Sequence, residues 1–172
     1  MDGIDGLVIS CMLIVFSTIA ITSSPTLWPL IASMVAFLLF NWHPAKLFMG
    51  DVGSTFIGSV YAGLLFETNS LTQAIAYILI ATPLLADAAF CVIRRYLYGQ
   101  NIFSAHRLHL YQRLHQAGIS QSKVSILYSF STLLLCVMFY MQSLSLVFIT
   151  STIIIAIGFY LDIKIAEPFR ND

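Results

Sequence analysis

Charged residues are scarce in this sequence. Only 9% of the 172 residues are Asp, Glu, Lys or Arg, and the formal net charge is zero. A nucleic-acid partner is not expected, because such partners bind basic surfaces. Apolar residues make up 59% of the chain, and the mean hydropathy of +0.88 lies far above that of a soluble domain. The chain is therefore predicted to be an integral membrane protein.

Cysteine is also rare, and its spacing is uninformative. Cys11, Cys91 and Cys136 lie singly in apolar stretches without a CxxC pattern. The spacing predicts neither a metal site nor a disulfide framework. The three cysteines are interpreted as small packing residues.

The hydrophobic runs predict one all-α membrane domain over residues 1–172. Runs near the ~20 residues needed to cross a bilayer give six transmembrane helices, at residues 7–22, 27–41, 55–68, 71–93, 123–142 and 144–163. Pro25, Pro29 and Pro83 are expected to kink or punctuate these runs. The polar segment 96–122 is expected to be a long loop with a short helix.

This topology places every basic residue on one side of the membrane: Lys46, Arg94, Arg95, Arg107, Arg113, Lys123, Lys164 and Arg170. The positive-inside rule makes that side the cytoplasm. Both termini and most acidic residues fall on the same side, whereas Glu67 lies outside and Asp87 lies within the fourth helix. A polar site at the cytoplasmic face is predicted.

Asp51 is the first candidate for function. It lies between Gly50 and Gly53 at the mouth of a hydrophobic run. A carboxylate there is costly to desolvate and is usually held by a cation, a partner or a water-filled site, and glycines allow close approach of a ligand. The alternative is a helix N-cap formed by Asp51 or Ser54.

Asp2 and Asp5 form a second candidate pair at the start of the first helix. Their spacing of three residues would put both on one helical face, where they suit a divalent cation or a substrate. Stabilisation of the helix macrodipole is the alternative explanation.

A third group joins the second helix to the third. Asn41 can donate and accept hydrogen bonds, Lys46 can pair with phosphate, and Phe48 offers a ring for stacking. Alternatively, Trp42 is an interfacial anchor and Lys46 an orientation signal.

The basic segment around Arg107, His109 and Arg113 fits an anionic diphosphate, because guanidinium groups pair bidentately with phosphate oxygens. It fits anionic lipid headgroups equally well. His115 is interpreted as a polar surface residue.

Asp87 lies deep in a hydrophobic helix, and an intramembrane carboxylate is a functional hypothesis by default. Its expected partners are Arg94 or Arg95, roughly two turns along the same helix. A small-solute transporter using Asp87 is a further alternative.

Four blocks in order, at residues 1–6, 41–58, 83–95 and 104–114, resemble the polyprenyl-phosphate N-acetylhexosamine-1-phosphate transferases, the glycosyltransferase family 4 enzymes that include phospho-N-acetylmuramoyl-pentapeptide transferase. The run from His109 to Leu114 is more similar to the branch that starts O-antigen and other surface polysaccharides. The resemblance implies transfer of a sugar 1-phosphate from a UDP-N-acetylhexosamine to undecaprenyl or another polyprenyl phosphate, with Mg²⁺ and release of UMP, at the bacterial inner membrane. Phosphoryl transfer of this kind depends mainly on positioning and charge neutralisation.

The resemblance also implies roles for individual residues. Asp51 would be the metal ligand and Asp2 and Asp5 would contact the nucleotide or position the reacting groups, so these three are the predicted catalytic residues. The predicted substrate-binding residues are Asn41, Lys46, Phe48 for uracil stacking, Arg107 and His109 for the diphosphate or sugar, and Arg113.

The chain departs from the family pattern in two respects. Relatives carry a compact histidine cluster, whereas Tyr111 and Gln112 follow His109 here. An Asp-Asp motif that helps bind magnesium and acceptor in the family is lacking, and the chain starts inside the family's Asn-x-x-Asn-x-x-Asp-Gly-x-Asp-Gly block. The chain is therefore expected to be the C-terminal part of a larger transferase and nearly inactive alone. The alternative is an inactive fragment or a partner subunit of a split membrane transferase. The expected protein partner is a second copy of this chain or a missing N-terminal half.

Overall fold

The computed structural model describes residues 3–104 and 106–169. Asp2, Arg170 and Asp172 lie outside the described residues. Within them the chain forms eight α-helices, one short 3-10 turn and no strand, which confirms the all-α prediction. The helices are α1 (Leu7–Thr22), α2 (Trp28–Asn41), α3 (Gly50–Glu67), α4 (Leu71–Ile80), α5 (Thr82–Leu97), α6 (Leu110–Gln116), α7 (Gln121–Tyr140) and α8 (Leu144–Lys164). The helix α6 is the short helix predicted within segment 96–122.

Two helices in the described part, α7 and α8, are long and apolar enough to cross a membrane. The pair α4 and α5 meets the same criteria only as one bent unit. The structure therefore supports two or three apolar spans by length and composition, and the count of six spans stays a prediction.

Prolines mark the starts of three helical segments. The predicted run 71–93 is divided at Ala81, where α4 and α5 meet at an angle of 79°. Pro83 is in the first turn of α5, Pro29 is in the first turn of α2, and Pro25 opens the 3-10 turn. Proline is tolerated in the first turn of a helix because a backbone N–H at that position would have no acceptor within the helix. The prediction that these prolines interrupt the hydrophobic runs is therefore confirmed.

The centre of the bundle is α1, which packs most extensively against α7 and α2. Most of its apolar side chains are buried, with Leu7, Phe16 and Ile19 fully inaccessible, as expected for a helix that is hydrophobic around most of its circumference. A hydrogen bond of 2.7 Å between the hydroxyls of Ser10 and Ser129 connects α1 to α7. By contrast, α8 exposes most of its apolar side chains, which suits contact with lipid.

Candidate functional site

Asp5 is fixed between the loop that follows α2 and the start of α7. Its carboxylate Oδ2 accepts a hydrogen bond from the backbone N–H of Ala45 at 3.1 Å and lies 2.8 Å from Nδ1 of His43. Its backbone N–H donates to Gln121 Oε1 at 3.0 Å, and its carbonyl accepts from the Ser125 hydroxyl at 2.8 Å. Sequence reasoning did not identify these partners, because only the tertiary fold brings them to Asp5.

The expected helical geometry of Asp5 is wrong. The helix α1 starts at Leu7 after the N-cap residue Gly6, whose φ of 73° lies in the left-handed region. Asp5 therefore precedes the helix, and the three-residue spacing from Asp2 does not place it on a helical face. Asp2 itself lies outside the described residues.

Asn41 connects the start of α1 to the loop after α2. Its side chain is buried, its Oδ1 accepts from the backbone N–H of Gly6 at 3.1 Å, and its Nδ2 donates to the carbonyl of Leu47 at 2.8 Å. A Cβ at Gly6 would lie 2.9 Å from Cε3 of Trp42, so glycine is required there by both space and backbone conformation. The described bonds of the Asn41 side chain are internal, and its substrate contact stays a prediction.

Lys46, Phe48 and Asp51 are all exposed. The ring of Phe48 is 70% accessible. Asp51 lies in the first turn of α3, where a helix macrodipole favours negative charge. The alternative in which Asp51 or Ser54 is the N-cap is wrong, because Met49 occupies that position.

Asp87 holds the start of α6. The side chain is 4% exposed, and its Oδ1 accepts from the backbone N–H of Leu110 at 2.9 Å. Its Oδ2 accepts from the backbone N–H of Tyr111 at 3.3 Å and from the Tyr128 hydroxyl at 2.8 Å. The carboxylate thereby satisfies N–H groups that a helix start leaves unpaired.

The expected pairing of Asp87 with Arg94 or Arg95 is wrong. Arg94 forms a two-pronged ion pair with Asp162 of α8, at 2.8 and 3.2 Å. Arg95 is buried and donates to the hydroxyl of Ser104 at 2.8 Å and to the carbonyl of Asn101 at 2.5 Å. Arg94 therefore connects α5 to α8, and Arg95 connects α5 to the loop that precedes α6.

Arg113 joins α6 to the end of α8. Its guanidinium is 4% exposed, forms an ion pair with Asp162, and donates from Nε to the carbonyl of Glu167 at 2.6 Å. Its Cζ also lies 5.5 Å from the ring centre of Phe169. The substrate contact expected of Arg113 stays a prediction. Arg107, which lies in the same basic segment, is exposed.

His109 lies at the N-terminus of α6 with a side chain that is 12% exposed. Its ring stacks on Tyr111 with centroids 5.1 Å apart and is also 5.1 Å from the ring of His106. Among the described residues, its buried Nδ1 has no hydrogen-bond partner, and Asp87 Oδ1 is 3.5 Å away. Burial lowers the pKa of His106, and the positive charge of Arg95 lowers it further.

Gly3 lies where the segment containing Asp5 meets the helix α6. A Cβ at Gly3 would lie 2.5 Å from Gln112 Nε2 and 3.5 Å from Cε2 of Tyr111. Gln112 in turn accepts a hydrogen bond from the backbone N–H of His109 at 3.3 Å. The segment containing Asp5 and the helix α6 therefore adjoin at one end of the bundle.

The comparisons with known proteins agree with the resemblance. Residues 1–69 match the family model described as glycosyl transferase family 4. The chain is 37% identical, over 73% of its length, to a probable undecaprenyl-phosphate N-acetylglucosaminyl 1-phosphate transferase of Bacillus subtilis, and it covers 38% of that relative. Residues 1–69 of the chain belong to glycosyl transferase family 4. Asp5, Asn41 and Asp51 all lie within the matched stretch.

Other relatives of family 4 match a similar stretch. The phospho-N-acetylmuramoyl-pentapeptide-transferase of Carboxydothermus hydrogenoformans is 34% identical over 78% of this chain, which covers 43% of that protein. The undecaprenyl-phosphate alpha-N-acetylglucosaminyl 1-phosphate transferase of Escherichia coli is 29% identical over 78% of the chain, which covers 41% of it. The chain thus spans about two fifths of the length of these relatives. No solved structure matches the chain significantly.

Proposed function

We propose that this chain carries the catalytic part of a transferase that moves a sugar 1-phosphate from a UDP-N-acetylhexosamine to undecaprenyl or another polyprenyl phosphate and releases UMP. The observation that carries the proposal is the meeting of the Asp5 segment, the loop after α2 and the helix α6 at one end of the bundle. The family relationship supports the substrate class, because relatives are named for this transfer.

The reaction we propose is one displacement at phosphorus. A phosphate oxygen of the polyprenyl phosphate attacks the β-phosphorus of the UDP-sugar, and the bond from that phosphorus to the oxygen bridging the two phosphates breaks. UMP leaves with the bridging oxygen and its electron pair. Such a reaction depends on positioned groups that neutralise oxygen charge more than on covalent chemistry by the protein.

Mg²⁺ is the proposed cofactor, held by Asp51. The fit rests on the exposed carboxylate of Asp51 in the first turn of α3, because Mg²⁺ commonly binds one or two carboxylates together with substrate phosphates. When bound, the ion would neutralise charge on phosphate oxygens. Asp5 is held by Ala45 and contacts His43, which suits a role in positioning the reacting groups, shared with Asp2.

The proposed substrate contacts come from the loop before α3 and from the start of α6. Lys46 and Phe48 are exposed in the loop before α3, where they can meet a phosphate and stack on uracil. Arg107 is exposed beside α6, and His109 lies at its start, so both are assigned to the diphosphate or sugar. The internal bonds of Asn41 and Arg113 favour indirect roles for these two residues, in which they hold the loop and the helix in place.

The proposed setting is the bacterial inner membrane, with six spans, both termini and the site at the cytoplasmic face. The described helix ends support this orientation, because Lys46, Arg94 and Arg113 lie at the end of the bundle that holds Asp5. Basic residues favour the cytoplasmic side.

The test is UMP release from two sets of membranes. The first contains this chain, and the second also contains the N-terminal part of the Bacillus subtilis relative that the chain does not cover. We expect release in the second set only when Mg²⁺, polyprenyl phosphate and a UDP-N-acetylhexosamine are all present. Release in the first set would contradict the expectation that the chain is nearly inactive alone. Release in neither set would contradict the proposed function.

A further inference from the structure

A thiol and two imidazoles meet beside α6. The thiol of Cys91 on α5 and the rings of His106 and His109 each offer one ligand atom, and these atoms lie within 4.8 Å of one another. Cys91 is 5% exposed, and the two histidines are half-buried. The spacing of Cys91 in the sequence predicted no metal site, but the fold places this cysteine in a cluster of metal-ligating side chains.

The donor set selects the class of cation. One sulfur and two imidazole nitrogens match the soft or borderline ions that take tetrahedral geometry, with a fourth position left for water. Mg²⁺ does not match, because it takes oxygen ligands. We propose that Cys91, His106 and His109 form a binding site for a soft divalent cation such as Zn²⁺, separate from the carboxylate of Asp51.

The surroundings of His109 support this assignment. Among the described residues its buried Nδ1 has no hydrogen-bond partner, and a buried polar atom of this kind destabilises the protein unless a ligand satisfies it. Coordination by Nδ1 would satisfy it directly. Coordination by Nε2 would leave a proton on Nδ1 facing Asp87 Oδ1 at 3.5 Å, the arrangement in which a carboxylate orients a metal-bound histidine.

The backbone that carries the ligands is well anchored. Arg95, one helical turn after Cys91, binds the loop at Asn101 and Ser104 just before His106. Asp87, one turn before Cys91, binds the backbone N–H groups of Leu110 and Tyr111 just after His109. The same segment of α5 thus fixes both ends of the loop that supplies the imidazoles, which keeps the three ligands together without an ion.

A cation bound at this site would also prevent His109 from contacting the substrate. That consequence rests on the proposed function, whereas metal binding does not. The experiment is therefore a binding measurement that requires no turnover.

The probe is Co²⁺, titrated into the purified full chain in detergent under reducing conditions. We expect one equivalent to produce a thiolate-to-cobalt charge-transfer band and the visible bands of tetrahedral cobalt. One equivalent of Zn²⁺ should abolish them, and a large excess of Mg²⁺ should leave them intact. Absence of the charge-transfer band from the unsubstituted chain, or its loss on addition of Mg²⁺, would overturn the proposal.

Two substitutions assign the ligands. Cys91→Ser should abolish the charge-transfer band, whereas Cys136→Ser, a matched change at a buried cysteine of α7, should retain it. His106→Asn alters a loop residue and should weaken cobalt binding by about tenfold or more. A band that persists in Cys91→Ser would overturn the assignment, and His106→Asn provides the same test should the cysteine variant fail to fold.

Discussion

Two polar regions of this chain hold charged residues in opposite environments. The exposed segment (residues 46–51), which spans the loop before α3 and its first two residues, presents Lys46, Phe48 and Asp51 at the protein surface. The buried anchor (Asp87, Arg95, Arg113 and Asp162) directs its charges to backbone groups and to each other. A charge in an apolar chain therefore does not by itself indicate a ligand contact. Accessibility separates groups available to a substrate from groups that position them.

The strongest test of this comparison is Asp162→Ala in the buried anchor. The change leaves the guanidinium groups of Arg94 and Arg113 without their shared carboxylate, and removing one partner of a largely buried pair costs about 3 kcal/mol or more. Thermal unfolding in detergent should show a marked loss of stability. Asp51→Ala should be nearly neutral in the same assay, and equal effects of the two changes would break the comparison.

A second test replaces the buried carboxylate without changing its shape. Asp87→Asn replaces one of the two accepting oxygens with an NH2 donor, which faces either the N–H of Leu110 or the N–H of Tyr111 and the hydroxyl of Tyr128. We expect a cost of about 2 kcal/mol because a buried donor is left unsatisfied. Hydrogen exchange should accelerate at these two amides. Unchanged exchange there would show that Asp87 does not hold α6.

Asn41, at the end of α2, and Lys46, in the loop that follows, provide a third test of the comparison. Asn41→Ala removes two buried hydrogen bonds and should destabilise the protein by about 1–2 kcal/mol. The exposed Lys46→Ala should change stability by less than about 0.5 kcal/mol. Chemical unfolding monitored by tryptophan fluorescence compares the loss of stability in the two variants. A larger loss in Lys46→Ala than in Asn41→Ala would show that Lys46 is the structural residue.

The smallest effect on stability is expected for Phe48→Ala, because its ring is largely exposed. Stacking of a base on an aromatic ring contributes about 1–3 kcal/mol, so KM for the UDP-sugar should rise about tenfold in the membranes that release UMP. Leu47→Ala is the matched control at an exposed apolar neighbour. A similar rise in both variants would argue against stacking by Phe48.

Local features of the sequence predicted the parts of the fold that depend on local chemistry. Helix class, the breaks at Pro25, Pro29 and Pro83, and a short helix within 96–122 all follow from composition and backbone restrictions, and the structure contains them. The helix α1 begins at Leu7, the first residue of the predicted run 7–22, whereas Asp5 does not lie on its helical face because the left-handed Gly6 separates Asp5 from the helix.

The partners of charged residues could not be predicted in this way. Asp87 was expected to pair along its own helix, but the fold supplies backbone N–H groups from α6, 23 residues away in sequence. Asp162 and Cys91 gave no local signal because their partners come from other segments. Such contacts depend on tertiary packing, which a single sequence does not specify residue by residue.

The most direct test of the central claim compares Mg²⁺-dependent UMP release by Asp51→Asn and Glu67→Gln in membranes that also contain the N-terminal part of the Bacillus subtilis relative. Both changes neutralise a carboxylate on α3, the first at its start and the second at its last residue. We expect Asp51→Asn to abolish UMP release and Glu67→Gln to retain it. Undiminished release by Asp51→Asn would contradict the assignment of the site to this end of the bundle.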